Sequence, residues 1–156
     1  MKNILIYTVL TSSLFIGISC SRDKISETNI KKTFVNRSSY DIKMLVYAED
    51  TLDFQVPIDD SVVFEGKYYS GPGIDYLDVG WYDPSHVTGQ VIFNNEKELI
   101  YDSSDDCDDQ NRNPLSSFFG TGFTCGFVTS YDAEGIITYT YSFTDVDYQN
   151  ARPLGG

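Results

Sequence analysis

The chain has 156 residues, with 23 acidic against 11 basic side chains and a net charge of −12. That length supplies one domain with a real core, while the acidity repels phosphate backbones and argues against nucleic-acid binding. Charge would not hold the chain to anionic headgroups either, so the excess of acid reads as solubility.

The first element is a leader. Lys2 gives a positive start, and an apolar run follows from Ile4 to Ile18, diluted by Thr8, Thr11, Ser12 and Ser13. The run falls short of the ~20 residues that span a bilayer, and small residues lead up to Cys20, the form of an export signal. Ile18-Ser19-Cys20 resembles the lipobox of bacterial lipoproteins, with Gly17 where leucine is usual. The resemblance implies a signal peptide over 1–19, cleavage before Cys20, and acylation of that cysteine on its sulfur and its new amino group. Acyl burial contributes about 0.8 kcal/mol per methylene, so several chains make a durable membrane anchor. By the same resemblance, Ser21 rather than Asp after the cysteine favours the outer membrane. All of this gives an address and leaves the activity open.

Residues 20–28 are polar without periodicity and read as a lipidated tether, leaving 29–156 as the folded domain. Lys32–Asn36 and Asp41–Tyr47 read as strands joined tightly through Arg37-Ser38-Ser39. Leu52, Phe54 and Val56 alternate with Asp53 and Gln55, the pattern of a strand with one wet face, and Pro57 ends it. Val62 and Phe64 continue the theme until Gly66. Ser70-Gly71-Pro72-Gly73 is a strong breaker. Ile74–Tyr82 and Val87–Asn94 follow, and Asn94-Asn95 turns the chain into Lys97–Tyr101. Residues 102–122 form a long polar loop, with one helical turn expected near Pro114–Phe119. Phe123, Cys125 and Phe127 then alternate with Thr124, Gly126 and Val128. The clearest strand comes last, where Ile137, Tyr139, Tyr141 and Phe143 alternate with Thr138, Thr140 and Ser142. Twelve Tyr and ten Phe agree with strands throughout. The expected fold is all-β, an antiparallel β-sandwich of immunoglobulin-like type, with a small β-barrel as the alternative. The immunoglobulin Cys…Trp…Cys order is missing, because Trp81 precedes both Cys107 and Cys125.

With Cys20 acylated, Cys107 and Cys125 form an even pair in an oxidising compartment, where a disulfide is expected. It would close a loop of about 18 residues and stabilise the fold by about 3 kcal/mol. Two cysteines and the single histidine, His86, make a poor zinc set. The acidic run from Asp102 to Asn111 offers oxygen ligands. Read as an EF-hand, however, it places Asn111 at the required glycine and Ser117 at the bidentate glutamate, so no metal is expected. His86 sits in a turn, Asp83-Pro84-Ser85-His86, without a nucleophile signature. Gly71-Pro72-Gly73 lacks the lysine and helix of a phosphate loop, and no cofactor is expected. Asn36-Arg37-Ser38 fits a eukaryotic sequon that has no meaning behind a bacterial leader. Asp50-Thr51-Leu52 and Asp60-Ser61-Val62 resemble the Asp-Ser/Thr-aliphatic acceptor of a bacterial O-glycosylation system.

Tyr68, Tyr69, Tyr76, Trp81 and Tyr82 gather around the Gly/Pro loop. Exposed aromatic residues on loops stack sugars or anchor protein partners, so this is the expected interaction patch. Together these readings describe a lipid-anchored, non-enzymatic binding or accessory module of the envelope, with a protein or glycan partner. The alternative is a hydrolase or inhibitor acting on envelope or host polymers through carboxylates.

Overall fold

Wherever apolar and polar residues alternate, the backbone extends and one face turns inward. The computed structural model describes residues 24–48, 50–72, 87–105, 112–115 and 125–156, together with the backbone of 74–78. The leader, Cys20, Trp81, Tyr82, His86, Cys107 and the acidic residues Asp106, Asp108 and Asp109 lie outside the described residues. The strands are β1 (Ser26–Asn36), β2 (Ile42–Tyr47), β3 (Thr51–Val56), β4 (Ser61–Gly71), β5 (Ile74–Asp78), β6 (Thr88–Phe93), β7 (Lys97–Asp102), β8 (Phe127–Tyr131) and β9 (Ile137–Phe143). A short helix, α1 (Asp145–Asn150), and a two-residue strand, β10 (Arg152–Pro153), complete the chain.

The strands form two open five-stranded sheets, ordered β5-β4-β1-β9-β8 and β10-β7-β6-β2-β3. The fold is a β-sandwich and not the barrel alternative. Its core lies between the layers. Phe34 of β1, Phe127 of β8, and Tyr141 and Phe143 of β9 come from the first sheet. Ile42, Met44 and Val46 of β2, Val56 of β3, and Val91 and Phe93 of β6 come from the second. Burying each such side chain contributes about 1.5–3 kcal/mol before entropy is charged against it.

Several expectations need correction. Strand β1 begins at Ser26, so residues 26–28 belong to the sheet rather than to the tether; Ser26 pairs with Ser70 across to β4. Strand β4 runs past Gly66 to Gly71, which puts Tyr68 and Tyr69 on a strand instead of in a loop. The sheets are not wholly antiparallel: β1 and β9 run parallel, with Ile30 opposite Ile137 and Phe34 opposite Tyr141. A parallel pair needs a long crossover, and nearly the whole sandwich intervenes between these two strands. Residues 37–39 make the tight connection expected, and it passes from one sheet to the other, since β1 and β2 lie in different sheets. The segment Phe123–Phe127 is not one alternating strand either. Cys125 and Gly126 form a turn with left-handed φ values of 45° and 87°, and β8 begins only at Phe127.

The corner between β1 and β2 is built on one buried amide. Asn36 donates from Nδ2 to the carbonyls of Tyr40 and Val56, both at 2.8 Å. Its Oδ1 accepts from the Ser38 amide at 2.9 Å and the Ser38 hydroxyl at 2.7 Å. Every polar valence of this 0% exposed side chain is used, as a buried amide requires. The Asn94-Asn95 turn is as expected: Glu96 N–H reaches the Phe93 carbonyl at 2.9 Å. Both asparagines take positive φ, 50° and 56°, the sign that a type I′ turn demands at its two central residues. Gly89 of β6 is needed for close approach, since a Cβ there would stand 2.7 Å from Leu115 Cδ1.

Helix α1 was not foreseen. Its start is a reciprocal cap, in which the Thr144 N–H donates to Asp147 Oδ2 at 2.7 Å while the Asp147 N–H reaches the Thr144 carbonyl at 3.0 Å. The spacing Thr144-x-x-Asp147 is the signal that would have found it.

Candidate functional site

Of the expected aromatic patch, Tyr68, Tyr69 and the backbone of Tyr76 lie where β4 meets β5. Strand β4 pairs with β1 on one side, with Tyr69 opposite Glu27, and with β5 on the other, with Tyr69 opposite Tyr76. Ser26 and Ser70 share a hydroxyl contact at 2.8 Å across the strand ends. The turn beyond β4 lies close to the entering chain, since a Cβ on Gly71 would stand 3.3 Å from Ile25 Cα.

Strand geometry divides the patch. Successive side chains of a strand face opposite ways, so Tyr68 and Tyr69 cannot share a surface. Tyr68 turns inward and packs on Ile30 beside Ile137 and Tyr139. Tyr69 takes the outer face, alongside Lys67 and Glu65. Tyr76 is placed in register with Tyr69 by its backbone; Trp81 and Tyr82 fall outside the described residues. Among the described residues, the outer face beside Tyr69 is charged. On it Lys67 Nζ pairs with Glu27 at 2.6 Å and Lys31 with Glu65 at 3.2 Å. A shallow depression of about 390 Å³ lies along these pairs, lined by Asn29, Ile30, Lys31, Glu65, Gly66, Lys67 and Ile136. The hydrogen-bond donors and acceptors along it suit a polar ligand.

Cys125 is buried at 1% exposure, and its carbonyl accepts the Asn113 N–H at 3.0 Å. Its sulfur is not free. The described end of the acidic run is occupied locally. Asp102 accepts from the Ser104 amide and hydroxyl at 2.8 and 2.6 Å, and Asp105 from the Asp102 amide at 3.3 Å. Among the described residues no three His, Cys, Asp or Glu side chains gather in a way that could hold a metal.

Three ionisable features escaped the sequence. Lys32 is on the inward face of β1, 1% exposed, with its ammonium 4.9 Å from the Phe127 ring centroid and 5.6 Å from that of Phe34. Burial pulls its pKa down to about 7. A lysine near neutrality is a competent base or nucleophile, yet this one is sealed from solvent and serves the fold. The alternation Ile30-x-Lys32-x-Phe34 was the available sign that it points inward.

Arg112 reaches Asp147 at 3.3 Å and donates to the Ser142 carbonyl, with its guanidinium carbon 4.7 Å from the Tyr141 ring centroid. Gly126 is needed beneath it, since a Cβ there would meet Arg112 Nε at 2.8 Å. Burial, reinforced by the Asp147 charge, pushes Tyr101 up to about 12, and burial likewise raises Tyr141. On the outer face of the second sheet, Glu98 is held below the usual carboxylate range by Gln90 and by Arg152, which lies 3.0 Å away. That cluster fastens β10 to β7.

No family model, curated protein or solved structure matches this chain. The roles of these residues rest on geometry and chemistry alone.

Proposed function

We propose that the chain is a lipid-anchored protein of the bacterial envelope, held at the outer membrane through acylated Cys20. Its β-sandwich is a non-enzymatic binding or accessory module. The observation that carries this reading is the short distance between the lipobox-like cysteine and the fold. Residues 21–25 alone separate Cys20 from β1, which begins at Ser26. At no more than ~3.3–3.6 Å per residue, that link reaches about 20 Å when fully drawn out. A domain on so short a leash rests against the membrane with one particular end.

That end carries the start of β1, the β4–β5 turn and Tyr69. Ile25 there is 53% exposed, and Lys24 is exposed beside it. An aromatic and aliphatic rim with a nearby cation suits the headgroup layer. The partner, a protein or a glycan, then meets the module along the charged depression at the membrane surface. The pairing of Cys107 with Cys125 belongs to the same reading. It is supported by the engaged sulfur of Cys125 and by an export route that leaves two cysteines over. Among the described residues no helix is long and apolar enough to cross a membrane.

The test is intact-mass analysis of the native product together with fractionation of Cys20→Ala. The expected product begins at Cys20, carries fatty acid and sediments with membranes, while the variant is released from them or stays unprocessed. A native chain that begins at Met1, or one without acyl mass, overturns the reading.

A further inference from the structure

Three aspartates in the sequence are followed directly by serine or threonine: Asp50-Thr51, Asp60-Ser61 and Asp102-Ser103. The fold treats the first two alike and the third differently. Thr51 opens β3 and Ser61 opens β4, so each hydroxyl stands where a turn hands over to a strand. Both residues are exposed, and so is the aspartate before each. The aliphatic residue after each, Leu52 or Val62, packs against the core. That packing fixes the strand and aims the neighbouring hydroxyl outward.

Neither hydroxyl is engaged by another group among the described residues. Ser103 is half-buried, its hydroxyl accepts the Val87 N–H at 2.9 Å, and a polar serine follows it. The approach to the first two is also open. Strand β3 is a sheet edge, bonded to β2 alone. Strand β5 pairs with β4 only from Lys67 to Gly71, leaving Ser61 bordered by β1 among the described residues.

We propose that Thr51 and Ser61 are O-glycosylation sites, filled during export from a polyprenyl-diphosphate-linked sugar. The hydroxyl oxygen attacks the anomeric carbon of the sugar, forming the O–C1 bond. The bond from C1 to the phosphate oxygen breaks, and the lipid diphosphate leaves with its electron pair. The hydroxyl proton passes to a base of the transferase, and no oxidant or reductant is involved. The exposed aspartate and the following aliphatic residue present the same short, carboxylate-marked stretch at both sites. A glycan on Thr51 would also cover the six-residue β3 edge, which otherwise offers unpaired backbone groups to other chains.

The inference rests on the export reading above, and one measurement separates their failures. The full chain is purified from its native cells and weighed intact, as wild type and as Thr51→Ala, Ser61→Ala, Ser61→Thr and Ser103→Ala. The expected wild type exceeds the acylated polypeptide by two glycan increments. Each of the first two variants loses one increment, while Ser61→Thr and Ser103→Ala keep both. A chain with fatty acid but no sugar overturns the glycosylation and leaves the anchor standing. A glycosylated chain without fatty acid does the reverse, and one that still begins at Met1 without either overturns both. Increments that survive in the Thr51→Ala/Ser61→Ala double variant also overturn the assignment.

Discussion

The two ends of β1 are buried by different means. Around Phe34 both sheets contribute: its ring lies 5.6 Å from Phe54, 6.1 Å from Phe64, 6.5 Å from Phe127 and 6.3 Å from Phe143. One residue pair further on, Asn36 closes the corner with four hydrogen bonds. Around Ile30, itself 1% exposed, the packing partners among the described residues are Tyr68, Ile137 and Tyr139, all from Ile30's own sheet. The difference arises from strand length. β1 and β4 are 11 residues long, whereas β2, β3, β6 and β7 have 6 each. Among the described residues, the two-layer core forms where the six-residue strands face the longer ones. Lys32 stands at the border between the two regimes.

The sharpest test of this contrast compares two truncations. Phe34→Ala should cost about 3–5 kcal/mol of stability and Ile30→Ala nearer ~2 kcal/mol, because the larger phenylalanine side chain leaves the larger cavity. Urea denaturation of both variants measures this; equal losses would mean that the Ile30 end is packed as densely as the Phe34 end.

A smaller effect, visible through pH, comes from the border. The Lys32 pKa falls from 10.5 to about 7 on folding, so between those values the unfolded chain holds a proton that the folded chain has given up. Stability therefore rises with pH across that window, by a few kcal/mol. Above about pH 10 the trend reverses, because Tyr101 and Tyr141 ionise more readily in the unfolded chain than where they are buried. Lys32→Met should be more stable than wild type at pH 7 and should not show the rise. A wild-type urea midpoint that stays flat from pH 7 to 10 would contradict the burial of this amine.

The smallest effect is expected on the open surface at the Ile30 end. Lys67→Ala removes the 2.6 Å pair with Glu27, which is half exposed and should contribute less than ~1 kcal/mol. The loss should shrink further in high salt. A larger, salt-insensitive loss would show that the depression along Lys67 and Glu65 is part of the stable core rather than a surface open to ligands.

Much of the fold was legible because alternation and turn chemistry are local. Leu52, Phe54 and Val56 gave β3, the run from Ile137 to Phe143 gave β9, and Asn94-Asn95 gave the β6–β7 turn. The placement of Tyr68 and Tyr69 was not legible. Gly66 looked like the end of a strand that in fact continues to Gly71, and once the strand is extended, Tyr68 and Tyr69 must part. Arg112 and Asp147 lie 35 positions apart, and nothing in either neighbourhood announces the other.

The sequence by itself determined which stretches extend, which face of each is apolar, and where the chain turns, since each depends on a few adjacent residues. Tertiary structure alone decided which strands are partners, that β1 and β9 run parallel, that residues 37–39 cross between sheets, and that Lys32 loses its contact with water. Those outcomes depend on which apolar faces meet across long separations, and the burial free energy that selects among them belongs to no single segment.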